Sequence, residues 1–191
     1  MDDEIKVSLL RVNYLDESQI DAQFKNVFKQ LAGPDQKVSV KELQAILNKI
    51  ISKHKDLKTD GFSQEACRSM INLMDTDGSR KLGLTEFHVL WEKIKIYNEV
   101  FRKFDVDRSG TMSPQEMCRA IEAAGFKLNS DIFQLVMLRY TEQDLTVNFD
   151  NFITCLVHLE AMFKIFHSSD TNNDGLITLN FKQWLSLTMF A

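Results

Sequence analysis

Residues 105–116 read DVDRSGTMSPQE, and this spacing of oxygen-bearing side chains leaves little choice of local fold. Asp105, Asp107 and Ser109 place side-chain oxygens at the first, third and fifth positions, and Thr111 offers its main-chain carbonyl at the seventh. Gly110 stands at the sixth position, where so short a loop must turn sharply, and Met112 gives the eighth an apolar side chain. Ser113, at the ninth, is placed to hold a water, and Glu116 closes the run with two carboxylate oxygens. Ca2+ takes six to eight oxygen ligands, and a twelve-residue loop with this pattern wraps them round one point.

The same spacing, that of an EF-hand loop, recurs. Residues 75–86, DTDGSRKLGLTE, offer Asp75, Asp77, Ser79, the Lys81 carbonyl and Glu86, with Leu82 as the apolar eighth residue. The sixth position is Arg80 instead of glycine, and a left-handed conformation costs an L-residue about 1–2 kcal/mol. With a positive charge added as well, this loop is expected to bind more weakly than 105–116. Residues 170–181, DTNNDGLITLNF, begin correctly with Asp170, Asn172, Asp174 and Gly175 but end on Phe181. That loop is expected to keep its fold without holding calcium.

Between the loops the apolar residues follow a helical period. Phe24, Val27, Phe28 and Leu31 mark one face, ended by Gly33-Pro34, and Leu43, Ile46, Leu47 and Ile50 mark another after Ser39. Further helices are expected over about 63–74, 84–104, 130–140, 149–166 and 179–189, and Ser113-Pro114 starts one that Gly125 ends. The fold class is therefore all-α, with five helix–loop–helix units. Short β-ribbons are expected between paired loops, Val38 with Leu82 and Met112 near Val147. Residues 1–20 read as an N-terminal arm or linker, and residues 21–191 as the calcium-binding domain.

Composition narrows the function. A net charge of −4 with no basic stripe argues against nucleic acid. No apolar run reaches the ~20 residues of a membrane-spanning helix. The N-terminus is acidic where a secretory signal would be basic, and the three cysteines, Cys67, Cys118 and Cys155, fit no disulfide framework, so a reducing cytoplasm is expected. Cys67 and Cys118 read as inert core thiols. Cys155 and His158 lie three apart on an apolar helix and read as packed residues rather than a nucleophile and its base. His54, His88 and His167 read as surface or half-buried residues without metal-ligand spacing.

Several segments carry a wider resemblance: LAGPDQKVSVKE at 31–42, KTDGF at 58–62, LGLTEF at 82–87, the run 104–112, AAGF at 123–126, NFDNF at 148–152 and WLSLTM at 184–189. Taken in order, they make residues 20–191 similar to the penta-EF-hand domain of calpains. The absence of a glycine-rich N-terminal region leans toward the C-terminal domain of a large subunit over the small regulatory subunit. The resemblance implies an eleven-residue first loop with the Ala32 carbonyl, Asp35, the Lys37 carbonyl and Glu42 as ligands. It also implies an unusual fourth site at Asp60, Asn148, Asp150 and Asn151, where Asn148 replaces a usual Asp. Nothing in the chain resembles the calpain protease core, so no catalytic residue is expected.

The odd hand count leaves the fifth loop, with Ile177, without a pairing partner. Phe181, Trp184, Leu185, Leu187, Met189 and Phe190 make the chain end apolar. A homodimer, or a heterodimer with a calpain small subunit, through the fifth hand is the expected solution. The resemblance further implies apolar grooves that receive amphipathic helices of a calpastatin-like inhibitor. The function read from all this is a calcium-binding regulatory and dimerisation domain of a calcium-dependent cysteine protease. The alternative is a stand-alone penta-EF-hand adaptor that binds peptide targets in response to calcium.

Overall fold

The computed structural model describes residues 16–190, with side chains through Thr188. The expected arm thus lies outside the described residues over 1–15. Residues 16–20 hold a short 3-10 helix, Glu17–Gln19, capped by Asp16.

Eight α-helices come after it: α1 (Ala22–Leu31), α2 (Val40–Ile51), α3 (Gln64–Met74), α4 (Leu84–Phe104), α5 (Pro114–Ala123), α6 (Ser130–Tyr140), α7 (Phe149–Ser169) and α8 (Phe181–Phe190). Eight helices serve five hands because α4 and α7, of 21 residues each, are shared. Each leaves one loop and enters the next, as a rod about 30 Å long. The ribbons are single antiparallel bridges, Val38 with Leu82 and Met112 with Val147. All four of these side chains are fully buried, so the loops are pinned in pairs from within.

Local sequence explains the helix starts. Asp21, Ser39, Ser63, Ser113, Asn129 and Asn148 each accept a hydrogen bond from the first turn of the helix they precede. The boundary expected at 179 moves to Phe181, and α8 starts instead from a reciprocal cap between Asn180 and Gln183. In α1 the apolar stripe is narrower than the period suggests: Phe28 is buried but Val27 is half exposed. Cys118 also departs from expectation. Met117, Ala120 and Ile121 form the buried face of α5, and Cys118, one step round the helix, is exposed.

The core is rich in aromatics. Phe101 of α4 stands edge-on to Phe149 and Phe152 of α7, with ring centroids 5.2 and 5.4 Å apart. The same two helices share a polar tie, in which the buried Lys93 ammonium lies 2.6 Å from one oxygen of Glu160 and the Tyr97 hydroxyl donates to the other at 2.6 Å. A buried ion pair of this kind gains little over an apolar replacement but is costly to break, because one charge would then be left unpaired.

The segment after α2 crosses between the two halves. The Lys58 N–H donates to the Gly110 carbonyl, and the Lys58 carbonyl accepts from the Phe149 N–H. A Cβ on Gly110 would lie 2.8 Å from the Asp56 carbonyl oxygen, so this close approach requires glycine there, as does its φ of 78°. Phe101→Ala, which removes the ring between α4 and α7, is expected to lower stability by about 3–5 kcal/mol in urea unfolding without metal.

Candidate metal centre

Each helix start carries a loop end into position. In loop 3 (105–116), Asp105 accepts from the Ser109 and Gly110 N–H groups, and Asp107 accepts from Ser109 N–H. Loop 2 (75–86) repeats this with Asp75, Ser79, Arg80 and Asp77. The Ser79 hydroxyl donates to the Lys81 carbonyl and the Ser109 hydroxyl to the Thr111 carbonyl, each at 3.0 Å. These bonds fold the donors inward.

The last glutamate ties each loop shut. Glu86 accepts from Thr76 N–H at 2.7 Å and from Gly83 N–H at 2.9 Å. Glu116 accepts from Val106 N–H and from Ser113 N–H, both at 2.9 Å. Burial pushes the Glu116 carboxyl up, but bonds from Ser113 and Val106 outweigh it and hold the group below its usual range. One carboxylate oxygen from each of Asp75, Asp77 and Glu86 lies within 4.8 Å of the others, and Asp105, Asp107 and Glu116 match that spacing. Hard, all-oxygen donors at this separation suit Ca2+.

Arg80 does adopt the left-handed conformation expected of it, at φ 58°. Loop 3 carries its own strained residue, however, at the fourth position, where Arg108 has φ 55° and loop 2 has Gly78. Each loop therefore contains one non-glycine residue in this region, and backbone strain does not separate the two.

Loop 1 (32–42) and loop 4 (141–151) form a second class with one shared backbone course. In loop 1 Gly33 N–H donates to the Lys37 carbonyl, and Gln36 N–H donates back to the Gly33 carbonyl. In loop 4 Glu142 N–H donates to the Thr146 carbonyl, and Leu145 N–H to the Glu142 carbonyl. Gln36 and Leu145 are both left-handed, and Asp35 and Asp144 each accept an N–H two residues on. Loop 4 thus closes on Asn151, which stands where Glu42 closes loop 1. In loop 1 a Cβ on Gly33 would lie 2.9 Å from a Glu42 oxygen and 3.2 Å from an Asp35 oxygen, so both carboxylates converge on that glycine. The Ala32 carbonyl borders the same turn.

The fourth group is brought together in part. Asp150 accepts from the Thr59 hydroxyl at 2.5 Å and from Asp60 N–H at 3.2 Å, and the Asn148 amide reaches Asp60 at 3.4 Å. Asn151 turns instead to Glu142, at 2.8 Å. Burial raises the Asp150 carboxyl above its usual range. Sequence reasoning missed Glu142 and Asp144. The repeat of Asp-x-x-Val with Ser or Asn after it, at 35–39 and 144–148, was the available signal.

Loop 5 keeps Asp170 bonded to Asp174 and Gly175 N–H groups. Its twelfth residue, Phe181, is 74% exposed and offers no oxygen ligand from its side chain. Near α7 the His158 ring nitrogen pairs with the Tyr140 hydroxyl at 2.7 Å, and burial pushes the Cys155 thiol up to about 12, so Cys155 is no nucleophile. No helix among the described residues is long and apolar enough to cross a membrane.

Residues 34–94 match the family described as an EF-hand domain pair, and residues 97–125 match that described as an EF-hand domain. All 191 residues align with calpain-1 catalytic subunits, at 57% identity to the protein of Homo sapiens and 58% to that of Mus musculus. The chain spans 27% of the length of those two proteins. Identity to the Oryctolagus cuniculus sequence is 56%, with 63% of that sequence covered. A solved structure of a homolog of programmed cell death 6 protein from Leishmania major Friedlin superposes with a TM-score of 0.59 at 20% identity. That match covers 88% of this chain and 91% of the other.

Asp150 is a buried carboxylate whose raised pKa favours the folded state below the unfolded value and withdraws that benefit as pH rises through the folded value. Asp150→Asn is therefore expected to raise metal-free stability at pH 7 over pH 3 relative to the parent, measured by thermal unfolding across that range.

Proposed function

The chain belongs to the calpain penta-EF-hand domains as a calcium-binding regulatory domain homologous to the C-terminal part of a calpain catalytic subunit, and on that basis we propose how it works within a larger protein. It covers none of the catalytic domain. The parent protein is a calcium-dependent cysteine protease of the cytoplasm, and this domain reports calcium to it. The alignment of all 191 residues to part of a calpain catalytic subunit supports this reading over a free adaptor, whose support is a likeness of fold alone.

Calcium is held in loop 3 by Asp105, Asp107, Ser109, the Thr111 carbonyl and Glu116. Loop 2 uses Asp75, Asp77, Ser79, the Lys81 carbonyl and Glu86. Loop 1 uses the Ala32 carbonyl, Asp35, the Lys37 carbonyl and Glu42, and a fourth site uses Asp60, Asn148, Asp150 and Asn151. The observation that carries the reading is the matched convergence of three carboxylates in loops 2 and 3. Loop 3 is the tighter of these two because its sixth position is Gly110, where loop 2 brings the positive charge of Arg80 to its donors.

The fifth hand pairs with its counterpart in a second chain, either a copy of this one or a calpain small subunit. Phe181 at 74% exposure, Trp184 at 51% and Leu185 at 39% support that face, since so large an apolar patch is rarely left to water. The side chains of Met189 and Phe190, expected on the same face, lie outside the described residues. A groove of about 240 Å3, lined in part by Ile50, Leu57, Trp91 and Ile94, fits the apolar side of an amphipathic helix such as a calpastatin-like inhibitor presents.

Calorimetric titration tests the calcium assignment: the double substitution Asp105→Ala/Glu116→Gln is expected to remove the tightest binding event and leave weaker ones. Loss of nothing would refute the assignment to loop 3. Trp184→Asp is expected to convert a micromolar dimer into monomer in equilibrium sedimentation, and an unchanged dimer would place the interface elsewhere.

A further inference from the structure

Loops 1 and 2 exchange lysines. Lys37 of loop 1 places its ammonium 2.6 Å from Asp77 of loop 2, and Lys81 of loop 2 places its ammonium 2.5 Å from Asp35 of loop 1. The exchange is a consequence of the bridge between Val38 and Leu82, since each lysine immediately precedes its bridge residue.

The carboxylates involved are among those proposed above as ligands of loops 1 and 2. Asp77 gives Oδ1 to Ser79 N–H and Oδ2 to Lys37. Asp35 gives Oδ1 to Lys37 N–H and Oδ2 to Lys81. In each carboxylate one oxygen serves its own loop and the other is held by the neighbouring loop's cation. Loops 3 and 4 differ: the residues before their bridge pair are Thr111 and Thr146, so neither loop sends a cation across from that position.

We propose that Lys37 and Lys81 are tethered counter-ions that calcium must displace, each from the loop opposite its own, so that the two sites of this pair fill after loop 3 and are coupled. An ammonium and a calcium ion cannot both sit on the free oxygen of one aspartate. Each lysine thus has two duties. Its main-chain carbonyl serves the ion of its own loop, and its side chain opposes the ion of the other. The coupling runs through those side chains: displacing Lys37 from Asp77 leaves its charge free beside the loop that carries its carbonyl. This rests on the assignment of loops 1 and 2 as calcium sites.

The test uses Lys37→Met and Lys81→Met, which keep the carbonyl and most of the stem but remove the charge. Each is made in two backgrounds, Glu42→Gln to silence loop 1 and Glu86→Gln to silence loop 2, with calcium binding followed by calorimetry. Lys37→Met is expected to tighten loop 2 about threefold, the scale of an exposed ion pair, with a smaller change in loop 1. Lys81→Met is expected to do the reverse. Equal tightening of both loops would reduce the lysines to a general charge effect and overturn the proposal, as would no change. Absence of any calcium binding in loops 1 and 2, with loop 3 still binding, would overturn the site assignment beneath it as well.

A second measurement needs no substitution. In the metal-free protein, nitrogen-15 spectra are expected to show the Lys37 and Lys81 ammonium groups protected from exchange beside that of buried Lys93, and the first two to lose that protection on adding calcium. Protection unchanged by calcium would also overturn the proposal.

Discussion

A single carboxylate holds both ends of loop 2, and another holds both ends of loop 3. In loops 2 and 3 the final glutamate bonds the second residue through one oxygen and the helix N-cap through the other. The same residue that would complete an ion's coordination thus starts the next helix and draws the loop's ends together. Loop 5 shows the effect of losing it. With Phe181 in that place, helix α8 begins at Phe181 instead of at the tenth loop position, on a cap of its own. A metal ligand and a folding signal are therefore one side chain.

This double use explains why so much is legible in the sequence. Asp, Gly and Glu at fixed spacing specify loop, ion and helix start together, so loops 2, 3 and 5 and most helix starts can be read directly. The pairings of Val38 with Leu82 and Met112 with Val147 are also readable, because the apolar eighth position has nowhere else to go. Loop 4 is harder. Its closing residue is Asn151 rather than a glutamate, and its likeness to loop 1 lies in the backbone course. Cys118 faces the other way from its expected core position because an isolated apolar residue at the edge of a stripe gives no sign of its direction.

Contact between distant segments is beyond the reach of sequence pattern. The Lys93–Glu160–Tyr97 cluster joins α4 to α7 over more than sixty residues, and no local pattern announces it. The stretch of chain at 56–60 is similar. It meets loop 3 at Gly110, the start of α7 at Phe149, and Asp150 through Thr59 and Asp60. A glycine read as a turn-former thus also makes room for a neighbouring backbone, and that one contact places the third and fourth loops against the same short segment.

The two shared helices add a constraint of phase. An α-helix turns about 100° per residue, so the hands at the two ends of α4 face each other in an orientation set by its residue count. Adding one residue within α4 would swing loop 3 about a quarter-turn round the rod and carry Gly110 away from Lys58. Drift in length is therefore permitted in the links between separate helices, such as 124–129, but α4 and α7 behave as camshafts, whose lobes keep their timing only while the shaft between them keeps its length.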